Sequence, residues 1–392
     1  MSNAYVLSGV RTPIGKFLGG LRDVPAHELG AVVVRDSLSR AGLGPEDVDE
    51  VILGHILSAG AGQAPARQAA LRAGLPATVA AFSVNKVCGS GLQAVMLAAQ
   101  AIRAGDARVI VAGGMENMSR APYLLRGARE GLKFGPASLE DSMLTDGLWC
   151  AFEDCHMGMH AEFTAAEAGV SRQDQDEFSV ASQARAAQAV KNGAFASELV
   201  SVPVTVKGHH SAVSNDEGPR PESTLEGLGK LRPSFDSKGT VTAGNSSLLA
   251  DGAAALVVAD EATAQHAQTP WKGRILAYGT SGGEPRRLFF APIDAVRTVV
   301  AKAGLSLEQI DLFEINEAFA SQSVACIRGL GVDPAKVNVN GGAIALGHPI
   351  GASGARVLVT LLWALHARQA RYGVASLCLG GGNAVALLVE RC

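Results

Sequence analysis

The sequence predicts an α/β protein made of two similar halves, and two observations carry this prediction. Apolar strand-like runs alternate with helix-like stretches of about 10–15 residues, a pattern typical of βαβ units in largely parallel, covered sheets. A short motif also recurs, because residues 41–49 and residues 303–311 share Ala, Gly, Leu, Glu and Asp at one offset of 262 (303 − 41). Duplication explains this better than chance similarity between two α/β segments, which is the alternative.

The elements that follow the motif come in the same order in both halves. The first copy continues through a strand, the stretch 85–91 and a helix to a buried-type strand at 108–114. The second copy continues through a strand, the stretch 338–354 and a helix to a strand at 375–378. Two such halves can pack face to face, which predicts a site at the carboxyl ends of their strands.

The middle of the chain interrupts this pattern with Gly/Pro-rich, mixed-charge stretches and amphipathic helical pieces such as 173–190. We therefore divide the chain into an N-terminal half (1–117 with 245–267), an inserted loop domain (118–244) and a C-terminal half (268–392). Long loops on a rigid scaffold commonly carry binding functions. The insertion is accordingly expected to contribute to binding.

Composition excludes several classes of function. Of 392 residues, 47% are hydrophobic and 18% are charged, and the net charge is −3, so we expect a sizeable core and no nucleic-acid partner. The sequence has no uninterrupted apolar run of about 18 residues, the length that would indicate a membrane span. The sequence shows neither a secretory leader nor a peroxisomal Ser-Lys-Leu address, and its six cysteines do not make a disulfide scaffold in so long a chain. We expect a cytoplasmic protein with reduced thiols.

Cys88 is the first candidate catalytic residue. It lies between a predicted strand and a predicted helix, followed by Gly89, Ser90 and Gly91, and such small residues permit a tight turn that lifts the cysteine into a cleft. The free N–H groups of the following helix are expected to favour a thiolate there, as a nucleophilic cysteine requires. A buried structural cysteine is the alternative.

Two residues of the second half are expected to meet Cys88. His348 occupies the equivalent loop of the second copy, where a neutral imidazole could take the thiol proton and later donate to a developing oxyanion. Cys378 ends a strand just before Gly380, in a glycine loop whose backbone N–H groups can point at a negative oxygen. A second cysteine opposite a Cys–His pair suggests acid–base chemistry, and an inert buried thiol is the alternative.

Asn316 and the cluster around Cys150 each allow two interpretations. Asn316 lies where a strand gives way to a helix, so it is either an ordinary helix cap or the holder of a water in an oxyanion hole. Cys150, Cys155 and His156 look like metal ligands, but no second Cys/His cluster at zinc-like spacing completes them. We therefore predict no metal site, and the sequence has no Walker-type or G-x-G-x-x-G phosphate loop.

These segments together resemble the thiolase family over nearly the whole chain. The resemblance rests on a combination of stretches that is far more specific than any one of them: 11–15, 65–70, 85–91, 113–119, 316–320, 340–354 and 378–382. Within the family, residues 62–69 are most similar to the short-chain acetyl-CoA acetyltransferases. The resemblance implies a five-layer α-β-α-β-α fold in which the insertion covers the site. The insertion would provide contacts to coenzyme A and between subunits. The resemblance also implies homotetramers built from dimers.

The resemblance also implies a reaction. Cys88 would take the acyl group with His348 as its activator, Cys378 would move the α-proton of the second acyl-CoA, and ping-pong kinetics would follow. A water held by Asn316 would form one oxyanion hole with His348, and the backbone N–H groups of Cys88 and Gly380 would form the other. The implied activity is reversible condensation of two acetyl-CoA to acetoacetyl-CoA and CoA, with coenzyme A as a substrate and no bound cofactor.

The resemblance further implies which residues bind substrate or coenzyme A. Ser247 matches a position facing the pantetheine arm, and Arg220 matches one near the nucleotide. The remaining substrate or CoA positions are Leu148, His156, Met157, Ala243, Leu249, Leu288, Ala318 and Phe319. One stretch departs from the family, because this chain has Leu-Phe-Phe-Ala-Pro at 288–292 where short-chain biosynthetic enzymes usually have Met-Gly-Thr-Gly-Pro. In the family this Met lies beside the substrate. With Leu288 in its place, the sequence does not predict which length of acyl chain is preferred.

Other activities compete with this interpretation. They are a broader-chain 3-ketoacyl-CoA thiolase of fatty-acid breakdown, a ketoacyl synthase, a Cys–His hydrolase and a non-catalytic acyl-CoA-binding protein. Ketoacyl synthases usually have a second histidine in place of Cys378, and a hydrolase would not need that cysteine. A binding protein would need neither Cys88 nor His348. The three residues together favour a thiolase.

Overall fold

The computed structural model describes residues 3–206 and 208–392. The strands in these residues are β1 (Ala4–Arg11), β2 (Gly15–Lys16), β3 (Glu50–Gly54), β4 (Ala80–Val84), β5 (Val109–Asn117), β6 (Tyr123–Leu124), β7 (Glu140–Asp141), β8 (Trp149–Cys150), β9 (Cys155–His156), β10 (Val202–Val206), β11 (His209–Val213), β12 (Ala250–Asp260), β13 (Gly273–Gly282), β14 (Leu312–Ile315), β15 (Tyr372–Leu379) and β16 (Asn383–Arg391). The helices are α1 (Ala26–Ala41), α2 (Pro65–Arg72), α3 (Ser90–Ala104), α4 (Met157–Glu167), α5 (Arg172–Lys191), α6 (Leu225–Gly229), α7 (Glu261–His266), α8 (Ala291–Lys302), α9 (Ala320–Leu330), α10 (Ala343–Leu346) and α11 (Ile350–Ala367).

One large sheet runs through both halves of the chain. Its order is β14-β15-β16-β13-β1-β12-β5-β3-β4, with β2 paired to β12. Starting from β1, the first half runs β1, β12, β5, β3, β4, and starting from β13, the second runs β13, β16, β15, β14 and a parallel bridge to Val337. In each half the first two pairings are antiparallel and the next two are parallel. This repeated order is the topology expected of a duplicated sequence.

The expectation of largely parallel sheets is wrong. Strands β12 and β16 run antiparallel to both of their long neighbours. The turn 380–382 joins β15 to β16, and a connection this short can link only antiparallel neighbours. Strand β12 returns from the long insertion rather than from a helical crossover. Where helices do cross over, from β3 to β4 and from β4 to β5, the three strands run parallel.

The helices form three layers around the two halves of the sheet. Helices α3 and α11 lie between the halves, and their apolar residues share one core with strands from both halves of the sheet. Helices α1 and α2 cover the outer face of the first half, and α8 and α9 cover that of the second. The resulting order of layers is α-β-α-β-α, as the resemblance implied.

Helix α11 has the length and composition of a membrane-spanning helix, yet 83% of it is buried inside the protein. A helix that lies between the two halves of the sheet meets apolar neighbours all round, so it carries apolar residues on every face. Its apolar character is therefore explained by its central position in the fold.

Two glycines let α3 and α11 approach closely where both helices begin. A Cβ atom on Gly91 would lie 2.6 Å from the backbone nitrogen of Ala355, and one on Gly354 would collide with the backbone nitrogen of Leu92. Side chains at these positions would hold the helices apart. The contact brings the residues just before each helix, which include Cys88 and His348, to one place.

The insertion packs mainly against the second half of the core. Helix α4 contacts α9, and α5 contacts both α9 and α10. Arg11 of β1 ties it to the first half, because its guanidinium lies 2.5 Å from the Glu198 carboxylate and 2.7 Å from the Asp216 carboxylate. All three side chains are buried, so these pairs would be costly to break singly. The exact division of the chain into 1–117 with 245–267, 118–244 and 268–392 stays a prediction.

Candidate active site

A cavity of about 440 Å³ lies between the insertion and the start of helices α3 and α11. Most of its lining is apolar, with a few polar groups directed inward, which is the usual character of a small-molecule site. The structure brings together at this cavity most of the residues predicted from the sequence: Cys88, Leu148, His156, Met157, Ser247, Leu249, Leu288, Ala318, Phe319, His348, Cys378 and Gly380.

Cys88 projects from a strained turn between β4 and α3. Val87 has φ +45°, a left-handed conformation that is rare for a β-branched residue. The Ser90 hydroxyl donates to the Val87 carbonyl at 2.6 Å and accepts from the Lys86 N–H at 2.7 Å, which holds the turn together. Strain of this kind concentrates at functional sites. The turn delivers the sulfur to the cavity where α3 begins.

Burial raises the pKa of the Cys88 thiol to about 12, although the N–H groups of Cys88 and Gly380 both donate to the sulfur. The backbone N–H groups thus act in the expected direction, but they do not make Cys88 a thiolate. These groups do lower the pKa, but burial in an apolar cavity has the larger opposite effect. Cys88 is a thiol at neutral pH and needs a base.

His348 is held as a neutral base that faces this thiol's cavity. Burial lowers its pKa to about 3, so the ring is uncharged at neutral pH. The Ser353 hydroxyl donates its proton to the Pro349 carbonyl at 2.9 Å, so it can only accept from His348 Nδ1, which lies 2.6 Å away. The proton is thus on Nδ1, and Nε2 carries the free lone pair. Nε2 finds no hydrogen-bond partner among the described residues.

This arrangement makes Ser353 a positioning residue for His348. We expect Ser353→Ala to lower kcat about 10–100-fold, as removal of a partner that fixes a functional imidazole typically does, with little change in KM. The loss arises because the ring can then rotate or place its proton on Nε2, where it cannot accept one from Cys88. Steady-state kinetics measure the split between kcat and KM.

Ser179→Ala is the matched control for this variant. Ser179 is also buried, and its hydroxyl likewise donates to a carbonyl four residues earlier, that of Gln175 at 2.7 Å. It lies in α5 and does not line the cavity. Equal losses in Ser179→Ala and Ser353→Ala would show a general packing effect and remove the positioning role.

Cys378 lies at the end of β15 and is 2% exposed. Burial, with smaller contributions from the neighbouring thiols of Cys88 and Cys326, raises its pKa well above the ordinary value. The strand then turns through Gly380–Gly382, where Gly381 and Gly382 have φ +85° and +88°, values that glycine adopts without strain. Cys378 is therefore a thiol at rest and can act first as an acid.

Asn316 does not cap a helix. It is 1% exposed, and helix α9 begins after Phe319 without a side-chain cap. Neither its amide nitrogen nor its amide oxygen finds a hydrogen-bond partner among the described residues. Buried amides are almost always paired with protein or water, but Asn316 does not line the cavity, so its role in holding a water stays a prediction.

Aromatic side chains form one wall of the cavity. Phe235 stacks on His156 at a ring-centroid distance of 4.6 Å, and Phe319 meets the edge of Phe235 at 6.1 Å. Phe289 packs against Phe319 at 5.4 Å, and both Leu288 and Phe289 are 2% exposed. The stretch that departs from the family thus contributes directly to the lining beside Cys378.

Two predicted binding residues lie elsewhere. Arg220 and Ala243 are exposed and do not line this cavity. The backbone N–H of Arg220 donates to the Gln183 side chain at 2.7 Å, which anchors that segment to α5. An exposed position is compatible with the outer part of a long ligand, and the binding role of both residues stays a prediction.

Sequence reasoning missed several lining residues. Phe235 and Trp149 come from the insertion, where no periodicity marks a residue as pocket-lining. The small-residue stretch after His348 contains two further residues of the site. Ile350 lines the cavity, and Ser353 contacts His348 Nδ1 without lining the cavity. The spacing of a hydroxyl five residues after a catalytic histidine could have indicated this last residue.

Cys150 and Cys155, the two cysteines near His156, lie on paired strands. Cys150 lies opposite Cys155 across the β8–β9 pairing. Cys155 Sγ is 3.6 Å from His160 Nε2. Across residues 3–206 and 208–392, no three His, Cys, Asp or Glu side chains are grouped as metal ligands. That the protein needs no metal stays a prediction.

Comparisons with known proteins agree with this geometry. The family model for the thiolase N-terminal domain matches residues 4–262, and that for the thiolase C-terminal domain matches residues 269–391. The acetyl-CoA acetyltransferase of Pseudomonas aeruginosa is 53% identical over 392 residues, 100% of both chains. The cytosolic acetyl-CoA acetyltransferase of Mus musculus is 50% identical over 388 residues, 98% of both chains.

A solved structure is also similar. The crystal structure of the Bacillus anthracis acetyl-CoA acetyltransferase matches with a TM-score of 0.97 at 40% identity, covering 100% of this chain and 99% of that chain. Both halves of the sequence, the layered fold and the residues at the cavity thus agree. The chain belongs to the thiolase family of acyltransferases.

Proposed function

We propose that this enzyme is an acetyl-CoA C-acetyltransferase, which condenses two acetyl-CoA to acetoacetyl-CoA and CoA in a reversible, ping-pong reaction. One observation carries the proposal: a single cavity is lined by Cys88, Cys378 and His348, whose Nε2 has no hydrogen-bond partner in the part of the chain that the structure describes. Relatives that carry this name span the whole chain at about half identity, which supports the same choice of substrate.

The first half-reaction acetylates Cys88. His348 Nε2 takes the thiol proton as the sulfur attacks the thioester carbonyl, so the histidine becomes an imidazolium. The CoA sulfur departs as a thiolate and takes the proton of Cys378. This assignment follows from the raised pKa of Cys378, because a thiol must first lose its proton before it can serve as a base.

The second half-reaction forms the carbon–carbon bond. The Cys378 thiolate removes an α-proton from the second acetyl-CoA, and the resulting carbanion attacks the carbonyl of acetyl-Cys88. The Cys88 sulfur leaves and recovers its proton from the His348 imidazolium. Acetoacetyl-CoA departs, and both cysteines are thiols again, so protons and bonds balance over the cycle.

Two groups of hydrogen-bond donors would stabilise the negative oxygens that form during the proposed reaction. The N–H groups of Cys88 and Gly380, which already donate to the Cys88 sulfur, would stabilise the oxyanion at the acetyl-Cys88 carbonyl. A water on Asn316 together with protonated His348 would stabilise the enolate oxygen. Each such donor contributes about 10²–10³ in rate. Ser247 and the apolar lining would hold the pantetheine arm, with Arg220 towards the nucleotide.

The acyl specificity is tested by CoA-dependent cleavage of 3-ketoacyl-CoA substrates of increasing length, followed by loss of the ketoacyl chromophore. We expect the four-carbon substrate to be cleaved fastest, because buried Leu288 and Phe289 limit the acyl end of the cavity. Leu288→Ala should then raise the relative rate for longer chains. Its exposed neighbour Arg286 provides the control Arg286→Gln.

The outcomes separate the remaining candidates. Faster cleavage of longer or branched chains by the unmodified enzyme would favour the broader-chain 3-ketoacyl-CoA thiolase instead. No cleavage of any chain length would contradict both activities and favour a non-catalytic acyl-CoA-binding protein.

We propose that the enzyme is a homotetramer built from dimers. Strand β4 is an edge of the large sheet with Phe82 41% exposed, and it leads directly into the Cys88 turn. The insertion exposes further apolar side chains between β6 and β7, among them Leu132 and Phe134. Open edges and apolar patches of this kind are usually covered by a partner. Light scattering should give about four times the chain mass of 40.2 kDa, and a monomeric mass would contradict this assembly.

We further propose that the enzyme works in the cytoplasm, in an acetyl-CoA-consuming part of lipid metabolism. Its cysteines are all free thiols, and the proposed mechanism needs two of them reduced. Fractionation of cells that express the chain with an epitope tag would test the location.

A further inference from the structure

A buried carboxylate lies near the cavity, and the proposed reaction does not use it. Glu116 is close to the end of β5, is 0% exposed and does not line the cavity. Its negative charge reaches Cys88, because it is one of the groups that raise the pKa of that thiol. A buried charge is costly unless other groups pair with it, so the hydrogen-bond partners of Glu116 indicate what it does.

Glu116 joins three segments of the chain. Its Oε2 accepts hydrogen bonds from the backbone N–H groups of Gly351 at 2.9 Å and Ile56 at 3.2 Å, and its Oε1 accepts from the N–H of Leu57 at 3.2 Å. His55 Nε2 lies 3.4 Å from Oε1. The carboxylate thus connects the end of β5 to the residues after β3 and to the start of α11.

Glu116 takes the place of a cap for helix α11. The helix begins at Ile350, directly after Pro349, and has no side-chain cap at that position. The first N–H groups of a helix have no partner within it, and the helix dipole favours a negative charge there. The carboxylate from β5 satisfies both conditions, since it accepts from the N–H of Gly351 in the first turn.

Glycines make this close approach possible. A Cβ atom on Gly351 would lie 2.9 Å from Glu116 Oε2. A Cβ atom on Gly54 would lie 2.6 Å from the Gly351 carbonyl oxygen, and one on Gly114 would collide with the same oxygen. The last part of β3 and of β5 therefore packs directly against the backbone of the first turn of α11, which holds that turn in one place.

We propose that Glu116 is a positioning residue for His348, an inference that rests on the proposed function. The carboxylate fixes the first turn of α11 through Gly351, and the same turn carries Ser353, whose hydroxyl accepts from His348 Nδ1. Without this anchor the turn can shift, and Nε2 then loses its alignment with the Cys88 thiol.

Positioning and charge predict opposite effects of Glu116 on Cys88. The negative charge raises the pKa of the Cys88 thiol, so its removal alone would make the thiol more acidic and more reactive. Loss of the alignment of His348 would make the thiol less reactive, because Cys88 needs a base at neutral pH. The direction of the change in reactivity therefore separates the two effects.

Alkylation of Cys88 by iodoacetamide measures this reactivity without acyl transfer. The sulfur displaces iodide, and its proton passes to His348 Nε2. In Glu116→Gln, whose amide nitrogen cannot accept an N–H bond, we expect alkylation to be about 10–100-fold slower, the usual loss with a hydrogen bond to a charged group. The kcat for acyl transfer should fall by a similar factor, with little change in KM. Peptide mapping by mass spectrometry gives the rate at Cys88.

Two further variants complete this test. Glu116→Asp keeps the charge but is one methylene shorter, so it should also slow alkylation, and it replaces Glu116→Gln if that variant does not fold. Asp49 accepts from the N–H groups of Arg108 at 2.7 Å and Val109 at 2.9 Å, at the opposite end of β5. Asp49→Asn is therefore the control, and its alkylation rate should equal that of the wild type.

The ratio of the wild-type alkylation rate to the Glu116→Gln rate should also depend on pH. Burial raises the pKa of Glu116 to about 7, so the carboxylate that accepts the N–H bonds forms as the pH rises through that value. The titratable groups that face it are His55, Asp251 and Cys88, and both chains contain all three. The ratio should be largest above this pKa and approach one well below it.

The outcomes separate the role of Glu116 from the proposed function. Alkylation of Glu116→Gln or Glu116→Asp at or above the wild-type rate would overturn the positioning role, and so would an equal slowing in Asp49→Asn. A wild-type chain without acyl transfer, but with the expected slowing in the Glu116 variants, would contradict the proposed function and still support the link from Glu116 to His348.

Discussion

Cys88→Ala is expected to abolish acyl transfer, with kcat lower by on the order of 10⁵-fold or more, as happens when the nucleophile of a cooperating catalytic group is removed. We do not expect Cys378, the other thiol at the cavity, to replace it, because the proposed reaction uses that thiol for proton transfer. Both condensation and thiolysis should be lost, since both pass through the same acyl-enzyme. Spectrophotometric assays in each direction measure this.

The exposed thiol of Cys392 provides the control. Cys392→Ala removes a cysteine far from the cavity and should retain full activity. The Cys88→Ala variant should also keep its fold, because the change removes only one sulfur from a half-buried position, and circular dichroism can verify this. Substantial turnover by a folded Cys88→Ala protein would contradict the assignment of the nucleophile.

Cys378→Ala is expected to separate the two half-reactions. Condensation should fall about 10²–10⁴-fold, the usual contribution of a general acid or base, because Cys378 is the base for the α-proton in the proposed reaction and His348 already carries a proton at that stage. Acetylation of Cys88 should remain measurable, although slower, since the departing CoA thiolate loses its proton donor. Exchange of labelled CoA into acetyl-CoA reports the first half-reaction alone.

A buried thiol outside the cavity provides the comparison for this variant. Cys326 is fully buried near Cys378, and its sulfur donates to the Phe289 carbonyl at 3.2 Å. Cys326→Ala should retain condensation, because that thiol takes no part in proton transfer. If Cys378→Ala condensed at the normal rate, the acid–base assignment would be wrong. If it lost acetyl exchange completely, Cys378 would be essential for acylation of Cys88, which would contradict the predicted separation of the two half-reactions.

The sequence predicts the duplicated fold and the central site well, for physical reasons. The repeated motif near residues 41 and 303 reports the same order of elements, which the structure shows as the same sheet order in both halves. Glycine-rich turns before two equivalent helices place Cys88 and His348 together, because Gly91 and Gly354 allow the helices to touch. Local pattern and topology are therefore sufficient to find the reacting groups.

What the sequence does not predict depends on contacts between distant segments. The predicted parallel pairing was wrong for β12 and β16, because a long apolar strand has the same sequence pattern whether its neighbours are parallel or antiparallel. The sequence indicates N–H groups that favour a thiolate at Cys88, but it does not show the burial that outweighs them, because burial depends on the tertiary structure. Phe235 reaches the cavity from a loop with no periodic signal, so only the folded chain shows its place there.

Trapping of the acyl-enzyme tests the central claim most directly. The wild-type chain is mixed with acetyl-CoA, quenched in acid and digested, and the peptides are mapped by mass spectrometry. We predict one added acetyl group on the peptide that contains Cys88, lost on addition of CoA before the quench. An acetyl group on Cys378 instead, or on none of the six cysteines, would contradict a reaction that passes through acetyl-Cys88.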